Sequence, residues 1–158
     1  MRPLALLGLL WAGGAAAAPT PADWRPTGAP GADGATVVEV TLKRCLIAEA
    51  ETDPLPLRGD DTEKCERLNR ATLVTREAGL KRLRLKPGRY VFRVRNAEVP
   101  WALDFAIRGA HDKGLPTTSG GAIRVGEVFD FPITLTAGIY VFQSPLGGTI
   151  EYALLVEE

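Results

Sequence analysis

Hydrophobic and polar residues alternate along most of the chain from Ala35 onward. Val38, Val40 and Leu42 interleave with Glu39, Thr41 and Lys43, a period of two that predicts a strand with one buried face. Leu46 and Ile47 read as its extension. The period returns at Leu83 and Leu85, at Tyr90, Phe92 and Val94, and at Trp101, Leu103, Phe105 and Ile107. It returns again at Phe129, Phe131, Ile133 and Leu135, at Tyr140 and Phe142, and at Ile150, Tyr152 and Leu154. Pro87-Gly88 and Ala137-Gly138 supply turns between these runs. About seven short strands punctuated in this way predict an all-β fold, a sandwich with Greek-key connections. Residues 108–122 are glycine-rich and read as a loop.

Residues 49–66 break the pattern. They are polar and acidic, with Glu49, Glu51, Asp53, Asp60, Asp61, Glu63 and Glu66, and Pro54, Pro56 and Gly59 argue against a long regular element. The stretch reads as an inserted loop with at most one helical turn near Thr62 to Arg67. Cys45 precedes it and Cys65 lies near its end, and they are the only cysteines in the sequence. A lone pair in an oxidising compartment most simply forms one disulfide, which would pin the insert to the first strand. Closing a loop of that length stabilises by about 3 kcal/mol in the chain-entropy account.

The N-terminus supplies the compartment. Met1-Arg2-Pro3 precedes an apolar run from Leu4 to Ala18, the pattern of a secretory signal peptide with cleavage after Ala17. The run is shorter than the roughly 20 residues of a spanning helix. Residues 1–17 are therefore expected to be a signal peptide, 18–34 (rich in Pro, Gly and Ala) an unstructured leader, and 35–158 the folded domain of a periplasmic or secreted protein. Without Arg2 the chain carries 18 basic and 19 acidic side chains, so charge gives no reason to expect nucleic acid or an anionic membrane as partner.

Leu85-Lys-Pro-Gly-Arg-Tyr-Val-Phe92 and Leu135-Thr-Ala-Gly-Ile-Tyr-Val-Phe142 share L-x-x-G-x-Y-V-F. A tyrosine two residues after the turn glycine can return its hydroxyl to a nearby backbone group, as in the tyrosine corner of Greek-key sandwiches. At these residues the chain resembles the cupredoxins, the plastocyanin and amicyanin type of small blue-copper protein, over roughly Leu80 to Val156. Val94 to Phe105 looks like the family segment ending in His-Asp-Phe, with Leu103 in place of the first ligand histidine, or Trp101 if the loop is shifted by two. Gly138 to Ser144 looks like the strand that delivers the ligand cysteine, with Ser144 at its position. Amicyanin-like spacing then puts Gly147 at the second histidine and Ile150 at the axial methionine.

A type 1 site needs two histidines and a cysteine thiolate, with a weak axial ligand. The chain has one histidine, His111, its one methionine is Met1, and both cysteines lie early. The resemblance therefore implies the fold without its copper, and no other cofactor is expected. The expected function is a non-catalytic interaction or accessory subunit, with a protein partner of a periplasmic or membrane redox complex. Trp101 reads first as a plug for the vacated site together with Leu103 and Ile150, and otherwise as an exposed aromatic anchor; the other contact candidate is a basic stripe at Lys81, Arg82, Arg84, Lys86, Arg89, Arg93 and Arg95, seven cations in fifteen residues without an acid. The stripe reads either as an outward docking face on adjacent strands or as the electrostatic partner of the acidic insert. The alternative function is a small-ligand or hard-cation binding module, the cation being Ca²⁺ held through the acidic insert, although its acids lack ordered D-x-D-x-D-G spacing. A nest at Thr117 to Gly121 and an enzyme built on His111, Asp112 and Ser119 or Ser144 are weaker readings. No G-x-S-x-G, H-E-x-x-H or P-loop motif is present.

Overall fold

The computed structural model describes residues 22–26 and 29–158. The expected signal peptide at 1–17 lies outside these residues, as do 18–21 and 27–28 of the leader. The apolar alternation becomes strands β2 (Thr36–Lys43), β4 (Arg82–Leu85), β5 (Gly88–Asn96), β6 (Leu103–Gly109), β8 (Val128–Leu135), β9 (Gly138–Gln143) and β10 (Tyr152–Val156). Three further short strands had no such signal: β1 (Asp23–Trp24), β3 (Leu46–Ile47) and β7 (Thr118–Ile123).

Each of these three corrects an expectation. The leader is ordered at its centre, where β1 pairs in parallel with β4 and the Trp24 ring lies 6.1 Å from that of Phe142. Leu46 and Ile47 do not extend β2. Cys45 takes a left-handed φ of 67°, and the chain folds back so that Leu46 pairs with Lys43 and Ile47 with Leu42. Residues 118–123, expected as loop, pair with β6 as an edge strand; only Ile123 is buried there, so no alternation marks it.

The strands form two mixed sheets, one of six in the order β1-β4-β10-β9-β6-β7 and one of four in the order β3-β2-β5-β8. Their facing sides bury Val38, Val40, Leu42, Phe92 and Val94 from the smaller sheet against Leu83, Phe105, Ile107, Tyr140, Phe142 and Leu154 from the larger. Phe105 is the aromatic hub, with ring centroids at 5.9 Å from Phe92, 5.3 Å from Phe131 and 6.4 Å from Phe142, separations at which tilted ring pairs attract. This is the all-β sandwich that the period-two pattern predicts. Both repeated motifs close as corners: the Tyr90 hydroxyl donates to the Lys86 carbonyl and the Tyr140 hydroxyl to the Thr136 carbonyl, each at 2.8 Å.

The segment between β3 and β4 carries the helix α1 (Thr62–Arg76), 15 residues and so about three turns longer than the single turn expected. Thr62 to Arg76 contains no Gly or Pro, and the Asp61 carboxylate accepts from the Lys64 N–H at 2.7 Å as N-cap. Its inward face is Cys65, Asn69, Thr72 and Arg76, spaced as a helix requires but polar in character. A disulfide joins Cys65 to Cys45, with Cα atoms 4.8 Å apart. Buried Asn69 donates to the Cys45 and Gly148 carbonyls at 2.8 and 2.7 Å and accepts from Arg76 at 2.6 Å. Arg76 in turn grips buried Glu51 at 2.5 and 3.2 Å, and the Tyr152 hydroxyl donates to the same carboxylate at 2.7 Å. Burial, with the Glu51 carboxylate beside it, pushes the Tyr152 phenol well above the ordinary tyrosine range. The helix is thus fastened to the sandwich by one covalent bond and a closed polar network.

Candidate functional site

Strand directions collect several loops at one end of the sandwich. The C-terminal ends of β5, β7 and β9 and the N-terminal ends of β6, β8 and β10 meet there, joined by residues 97–102, 124–127 and 144–151. This apex is where the resemblance puts the former copper positions.

Asn96 organises the first loop. Its side chain is fully buried, donates to the carbonyls of Val99 (3.0 Å), Trp101 (3.3 Å) and Ile123 (3.0 Å), and accepts from the Val99 N–H (2.9 Å). Leu103 enters the core, while Trp101 stays half-buried outside β6 and donates its indole N–H to the Leu146 carbonyl at 2.9 Å. Leu103, rather than Trp101, therefore occupies the inward position. Asn96→Ala would orphan these buried groups. We expect a loss of about 3 kcal/mol in urea denaturation. Loss below about 1 kcal/mol would show that water takes the place of the amide.

The second loop is wound around Ser144. Its buried hydroxyl lies 3.3 Å from the Asp104 carboxylate and accepts from the Gly147 N–H at 3.1 Å, and its carbonyl accepts from Gly147 and Thr149. A Cβ on Gly147 would stand 2.7 Å from that hydroxyl, so no side chain fits without movement. Gly148 has a left-handed φ of 59°, and a Cβ there would meet the Thr62 carbonyl of α1 at 2.5 Å. Ile150 packs half-buried against the core. Three of the four positions that the resemblance assigns to ligands, Leu103, Gly147 and Ile150, therefore offer no side-chain donor atom, and the Ser144 hydroxyl is already engaged. The residues present do not fit a copper ion.

At the centre of this end stands Leu146. Its N–H donates to Asp104 at 2.7 Å, and its carbonyl accepts from both Trp101 and the Thr62 hydroxyl, at 2.9 and 2.6 Å. Three elements thus immobilise its backbone while its side chain remains 47% exposed. Sequence reasoning did not single it out; Leu146 lies in a turn without periodicity, and Asp104 and Thr62 are distant in the chain.

The basic stripe is not one face. Arg82 and Arg84 lie on β4 in the larger sheet and Arg93 and Arg95 on β5 in the smaller, so their outward sides point away from each other. Acids outside the insert neutralise three of them. Arg84 pairs with Asp23 (2.7 Å) and Glu157 (2.6 Å), Arg82 with Asp23 (3.4 Å), and Arg93 with Asp130 directly across the ladder (2.9 Å). The Arg93 guanidinium holds the Asp130 carboxyl below its usual range. Arg95 is exposed without an ion pair among the described residues.

Five of the seven acids of the insert are likewise occupied, while Asp53 and Glu66 are exposed and far apart in the chain. Glu49 accepts from the Thr41 N–H, Glu51 is bound in the core, Asp60 and Glu63 pair along the helix with Lys64 and Arg67, and Asp61 caps it. Among the described residues no group of three or more His, Cys, Asp or Glu is placed to hold a metal ion. His111 and Asp112 sit past the far end of β6, about 20 Å along the strand from Ser144. Asp112 accepts from the Gly114 N–H. No hydrogen bond among the described residues joins His111 to Asp112, Ser119 or Ser144. The Thr117–Gly121 stretch is largely ladder rather than nest, since Ser119 pairs with Ala106 and Gly121 with Asp104. No helix of the described residues is long and apolar enough to cross a membrane.

No protein-family model matches the chain, and no curated protein matches it in sequence.

Proposed function

We propose that the chain is an exported, non-catalytic interaction module whose sandwich is of the cupredoxin-like Greek-key type, with the copper end converted into a docking apex. The observation that carries this reading is Leu146. A backbone held by Asp104, Trp101 and Thr62 presents an apolar side chain with little conformational freedom left to lose. Pre-ordered apolar anchors of that kind, beside an aromatic ring, are what concentrate binding energy in protein interfaces. Helix α1 contributes Thr62, and the Cys45–Cys65 bridge holds the helix in place, so the disulfide-pinned insert serves the apex. The partner class, a protein of a periplasmic or membrane redox complex, follows from the resemblance alone. The cation-binding alternative draws no support from the scattered acids of the insert.

The test is a photo-reactive residue placed at Leu146 in the native host, with controls at Thr134 and Val74. One recurrent adduct from position 146, lost in chains that also carry Trp101→Ala, is the expected result. Loss of partner affinity from Leu146→Glu should be at least about a hundredfold, because it puts an unpaired carboxylate at the interface centre. Equal labelling from all three positions, or none from any, overturns the proposal.

A further inference from the structure

The outer face of the six-stranded sheet is not polar throughout. Along β9 the core takes Tyr140 and Phe142, so Ile139 and Val141 point outward; along β10 the core takes Tyr152, Leu154 and Val156, leaving Ala153 and Leu155 outward. The register makes these four a contiguous block. Leu155 lies opposite Ile139, and Ala153 opposite Val141. Ile139 is 56% exposed although it sits on an interior strand. Solvated sheet faces ordinarily carry polar residues at such positions.

The margins of this block tell which partner it suits. Arg84 flanks Leu155 from β4, and Arg108 flanks Val141 from β6. Arg84 and Arg82 are matched by Asp23 and Glu157, and Arg108 by Glu151. Both margins therefore carry both signs and neither offers an excess. A strongly charged partner would find no unpaired charge to meet. A second copy of the same face would meet apolar centre with apolar centre and place arginines and carboxylates on both sides of each margin. With 18 basic and 19 acidic side chains once Arg2 is removed, the charge adds little long-range repulsion between copies.

We propose that this face is an isologous interface between two copies of the chain, independent of the apex. The strands from β4 to β6 cover roughly 400 Å² of projected sheet. That is below the ~800 Å² per partner of a standard stable interface, which puts the dimer in the weak, concentration-dependent class.

Sedimentation velocity of the mature chain, from about 1 µM to about 500 µM, reads this directly. The expected result is a rise from monomer toward twice the monomer mass across that range. Ile139→Glu and, separately, Val141→Lys should weaken self-association at least about a hundredfold while leaving the near-ultraviolet circular dichroism of the fold unchanged. Leu146→Glu at the apex should leave it as in the wild type. A chain that stays monomeric throughout, as it would if the face were reserved for a different protein, overturns the proposal. So does a dimer that survives both sheet substitutions or dissociates with Leu146→Glu.

Discussion

Arg76→Leu is expected to destabilise the fold by about 4 kcal/mol, measured by urea denaturation with the disulfide intact. The guanidinium is 3% exposed and is the sole cationic partner of Glu51 among the described residues, Glu51 itself being 3% exposed. Removing it leaves a carboxylate in the interior with, among the described residues, only the Tyr152 hydroxyl bonded to it. It also removes the donor that the Asn69 side-chain oxygen accepts from. The informative comparison is the double variant with Glu51→Leu. Desolvating two charges costs nearly as much as their attraction returns, so the double variant should recover at least half of the loss. What remains lost belongs to the unmatched Asn69 oxygen and Tyr152 hydroxyl. If Arg76→Leu costs less than about 1 kcal/mol, or the second substitution adds to the first, the network is not the clasp described here.

The second large effect is expected at Gly148. Its φ of 59° costs an alanine about 1 kcal/mol, and the added Cβ would also stand 2.5 Å from the Thr62 carbonyl and 2.7 Å from the Cys65 Cβ. Neither neighbour is the tip of a flexible side chain. Either α1 retreats, giving up the bonds from Asn69 to the Gly148 carbonyl and from Thr62 to Leu146, or the loop does. A total of about 3 kcal/mol is expected for Gly148→Ala. Gly126→Ala separates the two causes, because Gly126 shares a left-handed φ of 83° but has nothing within 4 Å of the added Cβ. That variant should lose only about 1 kcal/mol. Equal losses at the two positions would show that backbone strain, not crowding against α1, sets the requirement for glycine at 148. Gly148→Ala should also lower photo-adduct yield from position 146, since the Thr62 contact to Leu146 goes with it.

The strands with a buried face were legible because a half-buried strand must alternate, and both tyrosine corners because the hydroxyl reaches only as far as the neighbouring turn. β7 was not legible. Thr118, Ser119, Gly120 and Gly121 lie on an edge and bury nothing, so no hydrophobic pattern accompanies their pairing. Helix α1 was hidden differently. Its inward positions carry helical spacing, but Asn69, Thr72 and Arg76 are polar residues satisfied by one another and by Glu51 and Cys45, partners a local reading cannot supply. For the site, one histidine, no methionine after Met1 and two early cysteines already spoke against a type 1 copper centre. The sequence grouped the arginines wrongly, because adjacency in the chain from Arg82 to Arg95 spans the passage from one sheet to the other. Leu146 gains its meaning only from Asp104, Trp101 and Thr62, which lie 42, 45 and 84 residues away.

The order of the larger sheet has a temporal consequence. β10 is the last strand of the chain, yet it lies in the interior of that sheet, in parallel beside β4 and antiparallel beside β9. β4 and β9 touch no common neighbour until it arrives, and the Glu51 carboxylate waits for a hydroxyl 101 residues further along. The sheet can therefore close only when the C-terminal end of the chain is free to dock. Pairings of such long range make for slow folding, and until then the flanks of β4 and β9 stand open. Cutting the chain before Tyr152 would therefore leave two strand edges unpaired inside the sheet rather than one at its margin.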